Sequence, residues 1–263
     1  MISRFGVSQV KWKIPAVFPF NQFANGYSLL TGIGNAQFLH ETERGVAFVW
    51  CVPLACASGV EQKLSELLNS VEAVRAERFA SGDERRRYVV SHGAVRLILS
   101  AFTGRDPRDI QIAIGMRGRP HVLGPGPNFS LSHDGDLALV AVTTQGAIGV
   151  DVERVRPDLR LDTFARPFVR VRDVARIDAL APEEQSRAWF KAWTRLEAVA
   201  KASGAGLSDD RVADLEEPAP FRVWNLDVDD TRVGAVATMR SVTHVVYEAL
   251  PNASSALARF GVA

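Results

Sequence analysis

The sequence predicts an α+β fold of two similar halves that meet at a central cleft. Two long segments, 83–102 and 182–203, have the apolar spacing of amphipathic helices. Runs of alternating apolar residues, typical of strands, follow each of them. Because a helix followed by strands occurs twice, we expect an N-terminal half at 45–145 and a C-terminal half at 146–263.

The first half opens with a run of β-branched and aromatic residues at 45–52, which predicts a buried strand that Pro53 ends. A helical pattern follows at 60–68. The long helix is expected to begin at Asp83, whose carboxylate can cap it, and to end at Gly104. The strands predicted after it cover 110–114, 128–131 and 137–143.

The second half begins with a predicted strand at 147–152. Its long helix has Pro182 near the start and Gly204 just after the end, the usual places for these residues. Three further strands are predicted at 221–226, 233–239 and 244–250. Residues 1–44 show no steady period and are expected to be an irregular N-terminal segment.

Composition narrows the class of protein. The chain has 263 residues, 47% of them hydrophobic, and a net charge of +1, so neither nucleic acid nor a membrane is an expected partner. The longest apolar run, 46–57, is shorter than the ~20 residues that a membrane-spanning helix needs. Cys51 and Cys56 are too few for a disulfide framework, which favours a reducing, cytoplasmic location.

Two carboxylates lie in the predicted strand 147–152 and at its end. Asp151 and Glu153 are two residues apart, so their side chains point to the same face. Mg²⁺ binds one or two carboxylates together with phosphate oxygens and water, which makes this pair half of a metal site. A solvated strand edge is the alternative interpretation.

The second long helix and a strand end add further candidates. Trp193, Glu197 and Lys201 recur every four residues and so lie on one face of the helix. An ordinary Glu–Lys ion pair on an exposed helix face would show the same spacing. Ser132 and His133 come between a strand and a turn, where the imidazole can donate to a phosphate or be merely structural.

In this order and spacing, the motifs resemble those of the 4'-phosphopantetheinyl transferases, specifically the large, pseudo-dimeric, surfactin-synthetase-activating class. The resemblance covers about 72–207. The segments that carry it are 129–133, 149–153, 193–201, 204–207, 75–79, 85–87 with Arg96, and 118–120.

The resemblance implies two α/β halves with coenzyme A and Mg²⁺ in the cleft between them, and a single chain that works as a monomer. It implies transfer of the 4'-phosphopantetheine arm to a serine of an acyl or peptidyl carrier protein, with release of 3',5'-ADP. The implied metal ligands are Asp151, Glu153 and Glu197. The implied coenzyme A contacts are Arg75, Arg87, Arg119, Ser132, His133 and Lys201.

The catalytic roles follow from what phosphoryl transfer requires, namely alignment and stabilisation of negative charge. Glu197, directly or through a metal-bound water, is the candidate base for the carrier serine. Lys201 and His133 are expected to stabilise the departing 3',5'-ADP. The mechanism therefore depends on three side chains from two different elements.

Four positions depart from the family pattern, and the segment 166–172 lacks the family's serine-proline and the glutamate after the phenylalanine. Leu196 stands where the family usually has lysine, which removes one positive charge. Ser130 replaces asparagine and Asp134 replaces serine. Arg119 replaces lysine and keeps the charge, but its planar fork binds phosphate differently from an ammonium.

A basic run follows the metal motif. Between 154 and 172 there are six arginines and two aspartates, and the resemblance places this run beside the cleft. We expect Arg166, Arg170 and Arg172 to dock an acidic carrier protein. A solvated loop, or contacts with the phosphates of coenzyme A, would explain the same charges.

Two other functions remain open at the level of sequence. A Mg²⁺-dependent phosphohydrolase could use the same carboxylates to activate water and cleave coenzyme A without a carrier. A non-catalytic module that binds coenzyme A or a carrier would follow if Leu196, Ser130 and Asp134 disable the chemistry.

Overall fold

The computed structural model describes residues 44–115, 118–159, 161–206 and 220–255, and within these ranges the predicted α+β class is confirmed. The N-terminal segment predicted to be irregular lies outside the described residues, apart from Arg44. So does Leu207 of the glycine-rich motif that follows the second long helix.

The first half contains three helices and five strands among the described residues, together with a 3₁₀ turn at Pro107–Asp109. In chain order they are β1 (Val46–Pro53), α1 (Ser58–Ser65), α2 (Ser70–Ala76), α3 (Gly82–Thr103), β2 (Ile112–Ile114), β3 (Pro120–Val122), β4 (Asn128–Asp134) and β5 (Leu137–Thr143).

The rest of the described chain adds a 3₁₀ turn at Arg166–Phe168 and seven helices and strands. They are β6 (Ile148–Arg154), α4 (Leu161–Ala165), α5 (Val171–Asp178), α6 (Pro182–Ser203), β7 (Phe221–Asp229), β8 (Arg232–Met239) and β9 (His244–Ala249).

Two main sheets organise these elements. The first has the order β4-β5-β1-β9, in which β1 pairs with β5 antiparallel and with β9 parallel. The second has the order β6-β8-β7 and is antiparallel, and β2 and β3 form a separate hairpin. The last strand among the described residues therefore extends the sheet of the first half, and the division at residues 145 and 146 stays a prediction.

Three apolar clusters hold the layers together. The first sheet packs one face on α3, with Trp50 and Phe102 in edge-to-face contact. Its other face meets the second sheet through residues such as Leu139 and Val150. The second sheet in turn packs on α6 around Phe190. The layers therefore run helix, sheet, sheet, helix, and the two sheets contact one another directly.

Some details differ from the sequence prediction. Helix α3 begins at Gly82, and Asp83 makes an ion pair with Arg86 rather than acting as the cap. The predicted strand 110–114 is shortened to β2, while Ile110 is buried in the first core. The short elements α2, α4, α5 and β3 were not predicted, because segments of three to eight residues give little periodicity.

Candidate active site

Strands β4 and β6, each at the edge of its own sheet, meet where the two halves join. Ser130 on β4 accepts a hydrogen bond from the backbone N–H of Val150 on β6, at 3.1 Å. An edge strand has backbone groups without a strand partner, so this hydroxyl satisfies one of them. Ser130, a departure from the family pattern, therefore joins the two sheets.

Asp151 lies at the centre of this junction and is only 4% exposed. Its Oδ1 accepts hydrogen bonds from the Ser132 hydroxyl at 2.8 Å and from the Lys201 ammonium at 2.7 Å. The ammonium also donates to the Ser132 hydroxyl oxygen, at 3.0 Å. The other carboxylate oxygen of Asp151, Oδ2, is buried and has no hydrogen-bond partner.

A glycine allows α6 to reach this strand. A Cβ on Gly149 would lie 2.1 Å from the carbonyl oxygen of Ala198 and 2.5 Å from the backbone nitrogen of Ala202. Only a residue without a side chain permits such an approach. The contact brings Glu197 and Lys201 on α6 over β6. These two residues lie on the same face of the helix, as their spacing predicted.

Burial raises the pKa values of Asp151, Glu153 and Glu197, and the charge of Asp151 adds to the shifts of the two glutamates. Burial and then the charge of Asp151 raise the pKa of Glu153 to about 7, against the opposing Arg156. Burial and Asp151 also raise the pKa of Glu197. Burial raises the pKa of Asp151 itself, although the Lys201 ammonium opposes that shift. The site therefore contains more negative charge than its neighbours neutralise.

These residues suit a hard divalent cation by their chemistry. They supply carboxylate oxygens, which Mg²⁺ prefers, and Oδ2 of Asp151 is a buried acceptor with no partner. In the described ranges, however, no group of three or more His, Cys, Asp or Glu side chains stands close enough together to hold a metal ion. Coordination of one metal ion by all of these carboxylates would therefore require some of the side chains to move.

His133 lies at the end of β4, next to a tight turn. Gly135 has φ of +56°, which L side chains rarely adopt, and Asp134 accepts a hydrogen bond from the backbone N–H of Arg154 at 2.8 Å. Burial and the Lys201 charge lower the pKa of His133. This shift favours the neutral imidazole, which is exposed at the junction.

The three arginines expected to contact coenzyme A have different surroundings. Arg75 is exposed and lies 5.6 Å from the centre of the Tyr88 ring. Arg87 donates to Asp136 at 2.9 Å, and this hydrogen bond lowers the pKa of Asp136.

Arg119 is half-buried and joins the β2–β3 hairpin to the second half. Its guanidinium donates to the carbonyl oxygens of Ala202, at 2.7 Å, and Ile148, at 3.3 Å. The arginine that replaces the usual lysine thus holds the end of α6 beside the start of β6. Two of its five N–H donors are used in this way.

Leu196 and the remaining motif arginine are buried. Leu196 is 6% exposed and packs in the core beneath α6, so its side chain contributes to the apolar layer. Arg96 is fully buried and donates to Glu72 at 2.7 Å and to the carbonyl oxygen of Pro107 at 2.7 Å. Both residues support the fold.

The arginines expected to dock a carrier lie before and within α5. Arg166 forms two hydrogen bonds with Asp178, both 2.9 Å, and lies 5.2 Å from the Trp189 ring centre. Arg170 immediately precedes α5, and Arg172 is 3.8 Å from Asp173. Arg160, another member of the basic run, lies outside the described residues.

Sequence reasoning missed two features near the site. The structural role of Gly149 was detectable, because a glycine inside a strand pattern signals a close backbone approach. His92 gave no signal. It stacks on Tyr88 with ring centres 3.8 Å apart, and burial is the main reason that its pKa falls to about 4.

Comparison with known proteins decides the family. Residues 147–257 match a model described as the 4'-phosphopantetheinyl transferase superfamily. The chain is 34% identical over 206 residues to the 4'-phosphopantetheinyl transferase HetI of Nostoc sp., and the match covers 72% of this chain and 86% of HetI. The chain belongs to the 4'-phosphopantetheinyl transferase superfamily.

More distant members agree with this assignment. The match to 4'-phosphopantetheinyl transferase AcpT of Salmonella typhimurium has 28% identity and covers 52% of this chain and 70% of AcpT. For 4'-phosphopantetheinyl transferase Sfp of Bacillus subtilis the identity is 24%, and the match covers 56% of this chain and 65% of Sfp. The predicted family and enzyme class are confirmed. None of the helices in the described ranges is long and apolar enough to cross a membrane.

Proposed function

We propose that this transferase moves the 4'-phosphopantetheine arm of coenzyme A to a serine hydroxyl of an acyl or peptidyl carrier protein, with release of 3',5'-ADP. The observation that carries the proposal is the cluster of Ser132, Asp151 and Lys201 at the junction of the two sheets. In the described part of the chain, this cluster brings together a hydroxyl on β4, a buried carboxylate on β6 and an ammonium on α6.

Asp151, Glu153 and Glu197 would hold Mg²⁺. When bound, the ion would neutralise negative charge on the phosphate oxygens of coenzyme A. Burial raises the pKa values of all three groups, and the charge of Asp151 adds to those of Glu153 and Glu197. A bound cation would favour the ionised form of each, which supports this assignment.

Coenzyme A would bind along the same junction. Lys201, Ser132 and the neutral imidazole of His133 offer donors to phosphate oxygens, and the exposed Arg75 and the partly exposed Arg87 extend a basic surface on α2 and α3. Arg119 would act with the donors that remain after its two contacts with backbone carbonyls.

Transfer requires that the carrier serine loses a proton as its oxygen attacks the β-phosphorus and the bond to 3',5'-ADP breaks. Glu197 would accept that proton, since a carboxylate with a raised pKa is a better base near neutral pH. Lys201 would stabilise the negative charge on the departing 3',5'-ADP, with His133 as a second donor.

The two halves would act as a pseudo-dimer of the surfactin-synthetase-activating class, with one monomeric chain supplying both sides of the cleft. The layer order supports this, because each half contributes a 22-residue helix and most of one main sheet, although β9 of the second half extends the sheet of the first. A cytoplasmic location belongs to the same proposal.

The transfer reaction is tested by mass spectrometry of an apo carrier protein incubated with the enzyme, coenzyme A and Mg²⁺. We expect the carrier to gain one phosphopantetheine. Free 3',5'-ADP with an unmodified carrier would indicate the phosphohydrolase, and no reaction would indicate the non-catalytic module. Either of these results would contradict the proposal.

The metal ligands are tested with Asp151→Asn and Glu197→Gln. We expect each change to abolish transfer. Glu183→Gln is the matched control, since Glu183 lies exposed in the first turn of the same helix as Glu197. Transfer at the wild-type rate in Asp151→Asn would remove this carboxylate from the site.

Docking of the carrier is tested by reversing the charges of Arg166, Arg170 and Arg172. We expect a higher KM for the carrier, unchanged affinity for coenzyme A and a weaker dependence of the rate on salt, because the contact acts mainly through steering. Arg108→Glu is the control, since Arg108 also forms an exposed ion pair but lies in the first half. An unchanged KM in the triple variant would place docking elsewhere.

A further inference from the structure

The Lys201 ammonium lies on one of the two carboxylate oxygens of Asp151 that a bound cation could use. It lies 2.7 Å from Oδ1 of Asp151, and the Ser132 hydroxyl holds it there from 3.0 Å. Asp151 is 4% exposed, and a buried carboxylate is stable as an anion only beside a positive charge. In this state of the protein Lys201 supplies that charge.

Two further carboxylates lie close to this contact. Glu153 is two residues from Asp151 on the same face of β6, and Glu197 is one turn before Lys201 on α6. Lys201 and Arg156, which is 3.3 Å from Glu153, supply two positive charges for three carboxylates, and Oδ2 of Asp151 has no hydrogen-bond partner. A second cation therefore has an acceptor at this place, but it has to approach against the charge of Lys201.

Lys201 is more accessible to solvent than Asp151 is. Its side chain is 33% exposed, whereas that of Asp151 is 5% exposed, so the ammonium has a path to solvent that the carboxylate lacks. A lysine ammonium is a point charge on a flexible stem of four carbons, and a pyrophosphate is a stronger attractor for it than one carboxylate.

We propose that Lys201 holds the place of the divalent ion on Asp151 until coenzyme A binds, and that the pyrophosphate draws it away and so opens the carboxylate to the ion. This inference rests on the proposed function, since it assumes that the cluster binds coenzyme A and a divalent ion. Its consequence is that coenzyme A and the ion bind cooperatively, and that part of the coupling depends on Lys201.

The test measures Mn²⁺ binding by electron paramagnetic resonance, without a carrier and without turnover. In Lys201→Met we expect Mn²⁺ alone to bind at least tenfold more tightly than in the wild type. We also expect coenzyme A to increase Mn²⁺ affinity by a smaller factor in the variant. Lys191→Met, which removes the same charge from an exposed site on the same helix, should change Mn²⁺ affinity less than twofold.

Two further variants keep the proposal falsifiable if Lys201→Met does not fold. Ser132→Ala removes one of the two partners of the ammonium, so Mn²⁺ alone should bind several-fold more tightly. Lys201→Arg keeps the positive charge and should keep the weak binding. Unchanged or weaker Mn²⁺ affinity in Lys201→Met, or in Ser132→Ala where the former is unfolded, overturns the proposal.

The same titrations separate this inference from the proposed function. Mn²⁺ binding that Asp151→Asn abolishes but Lys201→Met leaves unchanged would overturn only the role of Lys201. No Mn²⁺ binding in any variant, even with coenzyme A, would overturn both the metal site and the competition for it.

Discussion

Helices α3 and α6 are alike in length and ending but differ in their buried charges. Each has 22 residues and is followed by a glycine in the left-handed region, Gly104 at φ +69° and Gly204 at φ +68°. Helix α3 buries Arg96 against the single carboxylate of Glu72. Helix α6 brings one ammonium, that of Lys201, to three carboxylates.

The difference shows how a buried charge that stabilises the fold can be distinguished from one that belongs to a binding site. Arg96 meets one anion and two backbone carbonyls of its own half of the protein, which leaves only its Nη2 without a partner, and it stabilises the fold. A surplus of like charge around an acceptor with no partner is maintained at a cost in stability, and such sites bind ligands. The predictions below test this contrast.

The largest expected effect is on α3. Arg96→Met leaves the carboxylate of Glu72 buried without its partner, and breaking such a pair costs about 3 to 5 kcal/mol in the free energy of unfolding. Urea denaturation measures this loss. Adding Glu72→Gln should restore part of the stability, because glutamine keeps the capping box with Asn69 but carries no charge. No restoration in the double variant would contradict the pairing.

The next largest effect concerns the packing of α6 against β6. In Gly149→Ala the new methyl group meets backbone atoms that cannot rotate away, so we expect a loss of about 3 kcal/mol and of coenzyme A affinity. Urea denaturation and calorimetry check the two quantities. Gly82→Ala at the start of α3 is the control, since its Cβ would meet nothing within 4 Å. Equal stability losses in both variants would contradict the close packing.

A smaller effect concerns the contact between the halves. Arg119→Ala removes two charge-assisted hydrogen bonds to the end of α6 and the start of β6, and we expect a loss of about 2 kcal/mol. Arg105→Ala is the matched control, because Arg105 donates to the carbonyl oxygen of Pro125 at an exposed place within the first half. Thermal unfolding of both variants makes the comparison, and a larger loss in Arg105→Ala would contradict it.

The smallest effect is a dependence of stability on pH. The pKa of Glu153 rises from 4.5 to about 7 in the folded state, so the folded protein holds this proton more tightly than the unfolded chain does. Without a metal ion, stability should therefore fall as pH rises from about 4.5 to about 7 and stay lower above that range. Glu153 is 25% exposed, and with solvent screening we expect about 1 kcal/mol.

Glu153→Gln should reduce this slope in a urea series between pH 5 and 8. Glu66→Gln, at an exposed position just after α1, is the control and should leave it unchanged. An identical slope in wild type and Glu153→Gln would show that the other two carboxylates carry the whole dependence.

The sequence by itself determined the class of the fold, the two long helices and the motifs of the family. The helices were predictable because 22 residues give six turns of periodicity, and each ends at a glycine. Asp151 and Glu153 were recognisable as a pair because a strand alternates its faces at every residue. These signals are local, because they depend on residues that are close together in the sequence and not on tertiary contacts.

Only the tertiary structure decided how the motif residues divide between chemistry and support. Ser132 and Lys201 are 69 residues apart in the chain and yet hydrogen-bonded, which no periodicity predicts. Arg96 and Arg119 both belong to the basic motifs, but one is buried in a core and the other binds backbone carbonyls between the halves. The reason is physical, since the role of a charge depends on its burial and its partners, and both are set by contacts distant in sequence.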